Sequence, residues 1–345
     1  MKIKKYLVYF LMIINLIMLS SCGDTPKKEE RKEKVDDKIE IGLSFDSFVI
    51  ERWERDRDIF LSKANELGAE VNVQSANGDI ETQKKQIEYF IEKEVDAIVI
   101  VAIDGDSLSE EVEKAHKKGI KVIAYDRLIK NANVDLFISF DNQRVGELMA
   151  EYIAKGTSEN ANVIMIQGDT KDNNVTEVYN GFKAVASQNG INIVEKTNID
   201  GWKSSLAYDY VQENLSKFEQ VDAIMCGNDG LAEQTIQALS ENRMIDNKII
   251  VGQDADIEAC QRIVEGTQYM TVYKPIDALA ETAAISTLNL INGEEEKYTG
   301  SMFDGTNYVS YVAIKPFAVT KENMDDVIID GGFHLKEEVY LNVSE

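Results

Sequence analysis

Charged, amide and indole side chains recur in this sequence at one kind of place, directly after short apolar runs. Arg52 and Trp53 follow Ile39–Phe45, Asp126 and Arg127 follow Ile120–Tyr125, and Asp172, Asn173 and Asn174 follow Asn162–Gln167. Trp202 comes after Ile191–Glu195, Asn228 and Asp229 after Asp222–Cys226, Asp254 and Asp256 after Lys248–Gly252, and Lys274 after Tyr269–Val272. Carboxylates accept hydrogen bonds, Arg and Lys donate them, and Asn does both. Such a set suits a polyhydroxylated ligand, because each hydroxyl is one donor and two acceptors and its bonds to charged groups are the stronger ones. Trp53 and Trp202 are the only tryptophans of the chain. A flat indole fits the apolar C–H face of a sugar ring, so two could sandwich one ring. Each residue alone has a plainer reading: a helix cap for Asp or Asn, a core staple for Trp, a surface ion pair for Asp126-Arg127. Asp229, Asp256 and Asn77 keep that plainer reading. Seven strand exits carry suitable groups together, and that coincidence marks a site.

The elements that must position these residues alternate regularly. Ile39–Phe45, Val71–Ser75, Asp96–Ala102, Ile120–Tyr125 and Leu136–Phe140 read as strands. Between them, Trp53–Leu67, Asp79–Glu94 and Ser107–Lys118 read as helices, with Asp79 as an N-cap. The rhythm repeats from Asn142 to Val272, with strands at 162–167, 191–195, 222–226, 248–252 and 269–272. Pro275 opens a helix reaching about Leu290, and Val327–Ile329 reads as a late short strand. Near-unbroken Val/Ile strands between amphipathic helices predict α/β lobes with parallel sheets covered on both faces, and ligand groups outside the carboxyl ends of the strands. No G-x-G-x-x-G follows the first strand and no G-x-x-x-x-G-K-[ST] occurs, so nucleotide binding has no support beyond fold analogy.

Composition bounds the partners. The chain has 345 residues, 61 Asp+Glu against 37 Lys+Arg, and a formal charge of −24. That balance argues against nucleic-acid binding, which needs a basic surface, and suits a soluble monomer. Lys2, Lys4 and Lys5 precede an apolar run from Tyr6 to Leu19, then Leu19-Ser20-Ser21-Cys22. The run is short for a membrane span and fits a secretory signal of residues 1–21, with Cys22 as a lipidation site; an ordinary signal with an incidental Cys is the alternative. Removing 1–21 takes away three lysines and leaves 34 basic against 61 acidic residues, or −27. Residues 22–38 are then a lipidated Cys and a charged tether too polar to bury a core. Cys226 and Cys260 are free thiols or a disulfide, which sequence leaves open. No zinc-like Cys/His spacing or complete calcium loop occurs, so no metal or other cofactor is expected.

The sequence also resembles the periplasmic D-xylose-binding proteins of ABC importers, within the type I periplasmic sugar-binding proteins. The resemblance runs from about Ile39 to His334 and rests on E-R-W-E-R-D-R-D-I-F (51–60), V-Q-S-A-N-G (73–78), A-Y-D-R (124–127), I-S-F-D-N (138–142), G-Q-D-A-D (252–256) and T-V-Y-K-P-I (271–276). E-R-W together with D-G-W (200–202) points to the xylose branch. It implies two doubly wound lobes, 39–140 with 275–304 and 141–274 with 305–345, joined by three crossings near 140–143, 273–275 and 303–310. It implies that Trp53 and Trp202 stack on the sugar and that Arg52, Asp126 and Arg127 bind hydroxyls from the first lobe. Asn174, Asn228 and Asp254, with Asp172 as a further candidate, would bind from the second lobe, and Lys274 from a crossing. The stretch from Tyr298 to Val312 departs from the family. The implied role is a non-enzymatic, lipid-anchored, exported receptor that hands a monosaccharide, D-xylose foremost, to a permease and its ATPase. Rival expectations are a receptor for another pentose or hexose, or one feeding a membrane sensor. A transcription repressor lacks its basic helix-turn-helix here. A glycosidase would use a carboxylate pair such as Asp126 and Asp254.

Overall fold

The computed structural model describes residues 38–50 and 52–343. The expected leader, Cys22 and nearly all of the tether lie outside the described residues. The first lobe begins with β1 (Ile39–Phe45), α1 (Arg52–Glu66), β2 (Ala69–Ser75), α2 (Ile80–Glu92), β3 (Ala97–Ile100), α3 (Ser109–Lys117), β4 (Lys121–Tyr125) and β5 (Leu136–Phe140). The second contains α4 (Asn142–Gly156), β6 (Asn162–Gln167), α5 (Asn173–Gln188), β7 (Asn192–Asn198), α6 (Ser204–Glu213) and α7 (Leu215–Phe218). It continues through β8 (Ala223–Cys226), α8 (Asp229–Glu241), β9 (Ile249–Gln253), α9 (Ile257–Glu265) and β10 (Met270–Tyr273). Then come α10 (Ile276–Asn292), β11 (Gly300–Phe303), β12 (Tyr308–Ile314), β13 (Phe317–Val319) and α11 (Lys336–Val339).

The two sheets share the order of five parallel strands, β5-β4-β3-β1-β2 and β10-β9-β8-β6-β7. Their orders are β11-β12-β5-β4-β3-β1-β2 and β13-β10-β9-β8-β6-β7. Central β3, β5 and β8 are buried along their whole length, because helices cover both faces, and apart from Ser139 and Cys226 their side chains are aliphatic or aromatic. Edge strand β7 instead alternates exposed and half-buried residues. Apolar clusters lie on the faces of both sheets, and one of them also takes in Met324, Ile328, Phe333 and Val339 of the C-terminal segment. Asp79 caps α2 as expected, its carboxylate accepting the Thr82 N–H at 2.6 Å.

Three differences from the sequence reading concern the C-terminal part. Residues 327–329 are not a strand; they lie in a wide helical turn, Asp325–Ile329, that buries Ile328. Three apolar residues carry no period, so strand and helix cannot be told apart there. Strands β11, β12 and β13 were not anticipated. Finally, β12 pairs parallel with β5, so residues 305–314 belong to the first sheet, and β13 pairs with β10 in the second. The third crossing therefore falls at Lys315-Pro316, later than 303–310. The other two are at Asp141 and at Lys274-Pro275. The Asp141 N–H donates to Ile314 O at 3.0 Å, tying the first crossing to the third. The helix expected over 204–217 is broken at Asn214 into α6 and α7.

Candidate functional site

The carboxyl ends of both sheets face one pocket. Arg52, Trp53, Asp126, Arg127, Asp172, Asn174, Trp202, Asn228, Asp254 and Lys274 all line it, so every residue singled out from the sequence for binding is brought to one place. Asn142, Gln167, Gly168, Gly227 and Gln253 line it as well and were missed. A signal for them existed: each sits at or beside a strand end or crossing that the sequence had already marked.

Asp126 and Asp254 occupy matching positions, directly beyond β4 and β9. Each is non-Gly with a left-handed backbone, φ 64° and 103°, and each donates its N–H to the neighbouring strand, to Ile138 O at 2.7 Å and Val272 O at 2.9 Å. Trp202 shares that conformation at φ 58°. Such backbone is costly for L residues and clusters where a side chain must be aimed.

Ion pairs hold the polar groups in place. Arg52 Nη2 donates to Asp126 Oδ2, and Lys274 Nζ lies 2.6 Å from Asp254 Oδ1. Arg127 Nη1 donates to Asp46 Oδ2 at 2.7 Å and to Ala102 O at 3.1 Å, while its Nε stands 2.9 Å from Asp172 Oδ2 of the other lobe. Burial alone would push the Asp126 carboxyl up, but Arg52, Lys274 and Arg127 together hold it below its ordinary value. Burial likewise opposes charge on Arg52 and Arg127, yet the carboxylates around each raise both above the usual arginine value. Behind them, Asp56 is pushed up to about 6 by burial, even though it faces Arg52 and accepts a hydrogen bond from Tyr125 Oη.

The lobes touch through these same residues. Besides the Arg127–Asp172 pair, Asn174 Nδ2 donates to Asp126. Asp172 has both oxygens engaged, since its Oδ1 also accepts the Asn174 N–H at 2.9 Å as the cap of α5. Asn228 caps α8 by accepting the Leu231 N–H at 2.9 Å. Asp229, which the sequence reading left as a surface cap, is buried; it accepts from Thr271 Oγ1 and Gln268 Nε2.

The indoles are fixed differently. Trp53 is fully buried, with the Arg52 guanidinium 4.1 Å over its ring and Phe45 beside it. Trp202 lies flat on main chain: a Cβ at Gly168 would meet its ring at 2.1 Å, and one at Gly227 would meet it at 3.2 Å. Only glycine permits that approach.

Among the described residues, eleven buried side-chain N or O atoms have no aligned hydrogen bond, and eight of them belong to pocket residues. They include the donors Arg52 Nη1, Arg127 Nη2, Trp53 Nε1 and Trp202 Nε1, and the acceptors Asn174 Oδ1 and Gln253 Oε1. Buried polar groups are normally satisfied, so such a concentration marks a place where a polar ligand supplies the partners. Cys226 and Cys260 are both buried free thiols and take no part.

Comparison with known proteins agrees with this geometry. Residues 41–295 match the family model for the periplasmic binding protein domain. The chain is 41% identical to the D-xylose-binding periplasmic protein of Haemophilus influenzae, over 88% of this chain and 92% of that one. It is 40% identical to the D-xylose-binding periplasmic protein of Escherichia coli, over 87% and 92%. Among solved structures, an ABC transporter solute binding protein from Clostridium phytofermentans with bound β-D-glucose superposes with a TM-score of 0.79 at 28% identity, covering 87% of this chain and 99% of that one. The two-sheet architecture, the shared pocket and these matches together place the chain in the periplasmic binding protein family.

Proposed function

We propose that this protein is the sugar-receiving subunit of an ABC importer and that it closes on a single pentopyranose, D-xylose, without altering it. The observation that carries this reading is the set of unpartnered donors and acceptors around one pocket between two lobes, flanked by two indoles. A pentopyranose presents hydroxyl edges to such groups and C–H faces to Trp53 and Trp202. The similarity to D-xylose-binding periplasmic proteins supports xylose over other sugars. The carboxylates at the pocket, Asp126, Asp172 and Asp254, stand in ion pairs with Arg52, Arg127 and Lys274, an arrangement that serves hydroxyl binding rather than proton transfer.

Ligand touching both lobes favours the closed form, and the crossings absorb the movement. Lipidation at Cys22 would keep the receptor beside its permease and ATPase. Isothermal titration with D-xylose, D-ribose, L-arabinose and D-glucose tests the assignment: D-xylose is expected to bind tightest, and no preference for it would overturn the substrate. Release of nitrophenol from a nitrophenyl xyloside would overturn the non-enzymatic reading, and a Cys22→Ser chain that still sediments with membranes would overturn the anchor.

A further inference from the structure

We infer that Gln253 is a ligand-contacting residue, whose Oε1 accepts a hydrogen bond from one particular hydroxyl of the bound sugar. The inference rests on the sugar-receptor reading above and adds to it a residue that determines which hydroxyl pattern is accepted. Gln253 closes β9, immediately before Asp254, and is buried at 5% exposure in the wall of the pocket.

Its amide is oriented by its neighbour. Nε2 donates to Gly227 O, and a carbonyl oxygen there requires the N–H side of the amide. The oxygen is thereby left on the other side, buried and without a donor. An unmet buried carbonyl is costly, so a hydroxyl hydrogen arriving at Oε1 gains more than the same contact would in water.

The other acceptors of the pocket explain why this one matters. Asp126 already receives Arg52 Nη2 and Asn174 Nδ2, Asp172 receives the Asn174 N–H and faces Arg127, Asp254 Oδ1 faces Lys274, and Asn228 Oδ1 receives the Leu231 N–H. Among the fully buried neutral acceptors of the pocket, Asn174 Oδ1 and Gln253 Oε1 are left without an aligned donor. Donors, by contrast, are plentiful. Each sugar hydroxyl brings one hydrogen, so loss of one uncommitted acceptor falls on one hydroxyl. Gln253 has a second effect to be separated from this, because Gly227 also supports the Trp202 ring.

The test is a titration of the full chain and its Gln253→Met and Gln253→Glu variants with D-xylose and its monodeoxy analogues, after circular dichroism has shown each variant folded. Gln253→Met is expected to weaken D-xylose about tenfold or more, and the penalty for one deoxy analogue is expected to vanish while the others persist. Gln253→Glu keeps an acceptor oxygen but loses the donor to Gly227, so it should weaken all ligands alike and keep the wild-type pattern of penalties. Equal weakening of every analogue by Gln253→Met would assign the residue to Trp202 support alone and overturn the inference. Should that variant not fold, a changed pattern in Gln253→Glu overturns it. A wild-type chain that binds no pentose overturns the receptor reading, and the inference with it.

Discussion

Asn174 Nδ2 lies 3.0 Å from the main-chain oxygen of Asp126 and 2.9 Å from its Oδ1, so one amide of the second lobe clasps both the backbone and the carboxylate of a first-lobe residue. The Arg127–Asp172 pair crosses the same gap at 2.9 Å. Closure and ligand recognition therefore use the same side chains. Asp172 has each oxygen in one of these contacts, one capping α5 and the other facing Arg127, so a change there acts on the seam between the lobes.

Asp172→Asn keeps the cap, because Asn serves there as well as Asp, and removes the charge opposite Arg127. D-xylose affinity is expected to fall about tenfold, nearly all of it in a faster dissociation rate, because a weakened clasp opens sooner without changing encounter. Stopped-flow tryptophan fluorescence reads both rates. An unchanged dissociation rate with slower association would refute a role in closure.

Trp202 depends on two bare backbone positions. Gly168→Ala places a Cβ inside the present position of the indole, and the ring has to move. Binding should weaken by at least tenfold and approach the loss expected for Trp202→Ala, while the thermal midpoint stays close to wild type because the ring is only half-buried. Wild-type affinity in Gly168→Ala would mean that the observed seat of Trp202 is not the one that matters for ligand.

Asp304 joins the β11–β12 turn to the loop before β5. Its carboxylate accepts the N–H groups of Ala132 at 3.1 Å, Asn133 at 2.8 Å, Thr306 at 2.8 Å and Asn307 at 2.7 Å. These bonds outweigh the opposing effect of burial and hold its pKa below the ordinary value. Asp304→Ala leaves those donors without their acceptor and should cost about 3 kcal/mol of stability. The midpoint of urea unfolding measures this, and a shift within error would show the clasp to be incidental.

Stability should fall as pH rises from about 4 to 7. Glu177 is pushed up to about 7, first by burial and then by the charges of Asp172 and Asp141, against the help of Asn173 and Asn142; Asp229 is pushed up to about 7 by burial. The unfolded carboxylates release their protons near pH 4, so between those limits the folded chain holds more protons and is favoured by acid. The thermal midpoint at pH 5 is expected above that at pH 7.5, and Glu177→Gln should flatten the difference. A midpoint that climbs steadily over this range would contradict the assignment.

The alternation through β10 was legible because each central strand is a compact Val/Ile run and each helix stops at a recognisable residue, as at Gly68, Gly119 and Gly266. The polar wall of the pocket was legible for a related reason: parallel strands leave their carboxyl ends on one side. Local pattern could not show what depends on distant partners. Gly-Ser-Met-Phe of β11 has no strand signature, and Tyr308–Ile314 reads as the last strands of the first sheet only once Ala313 is set beside Ser139. Gly168 and Gly227 look like ordinary turn residues until an indole from another loop is found lying on them. Gln253 gains its meaning from Gly227 O, which no spacing reveals.

The late strand β12 also fixes when the first lobe can exist. Its sheet is complete only with Tyr308–Ile314, and α10, which packs on α1, is made after β6–β10 of the second sheet. A chain emerging from the ribosome can finish neither lobe until it is almost full length. Contacts so distant in sequence close slowly, because a long loop must be ordered before it is rewarded. The interleaving of the lobes thus postpones completion of either sheet until the chain is nearly all made.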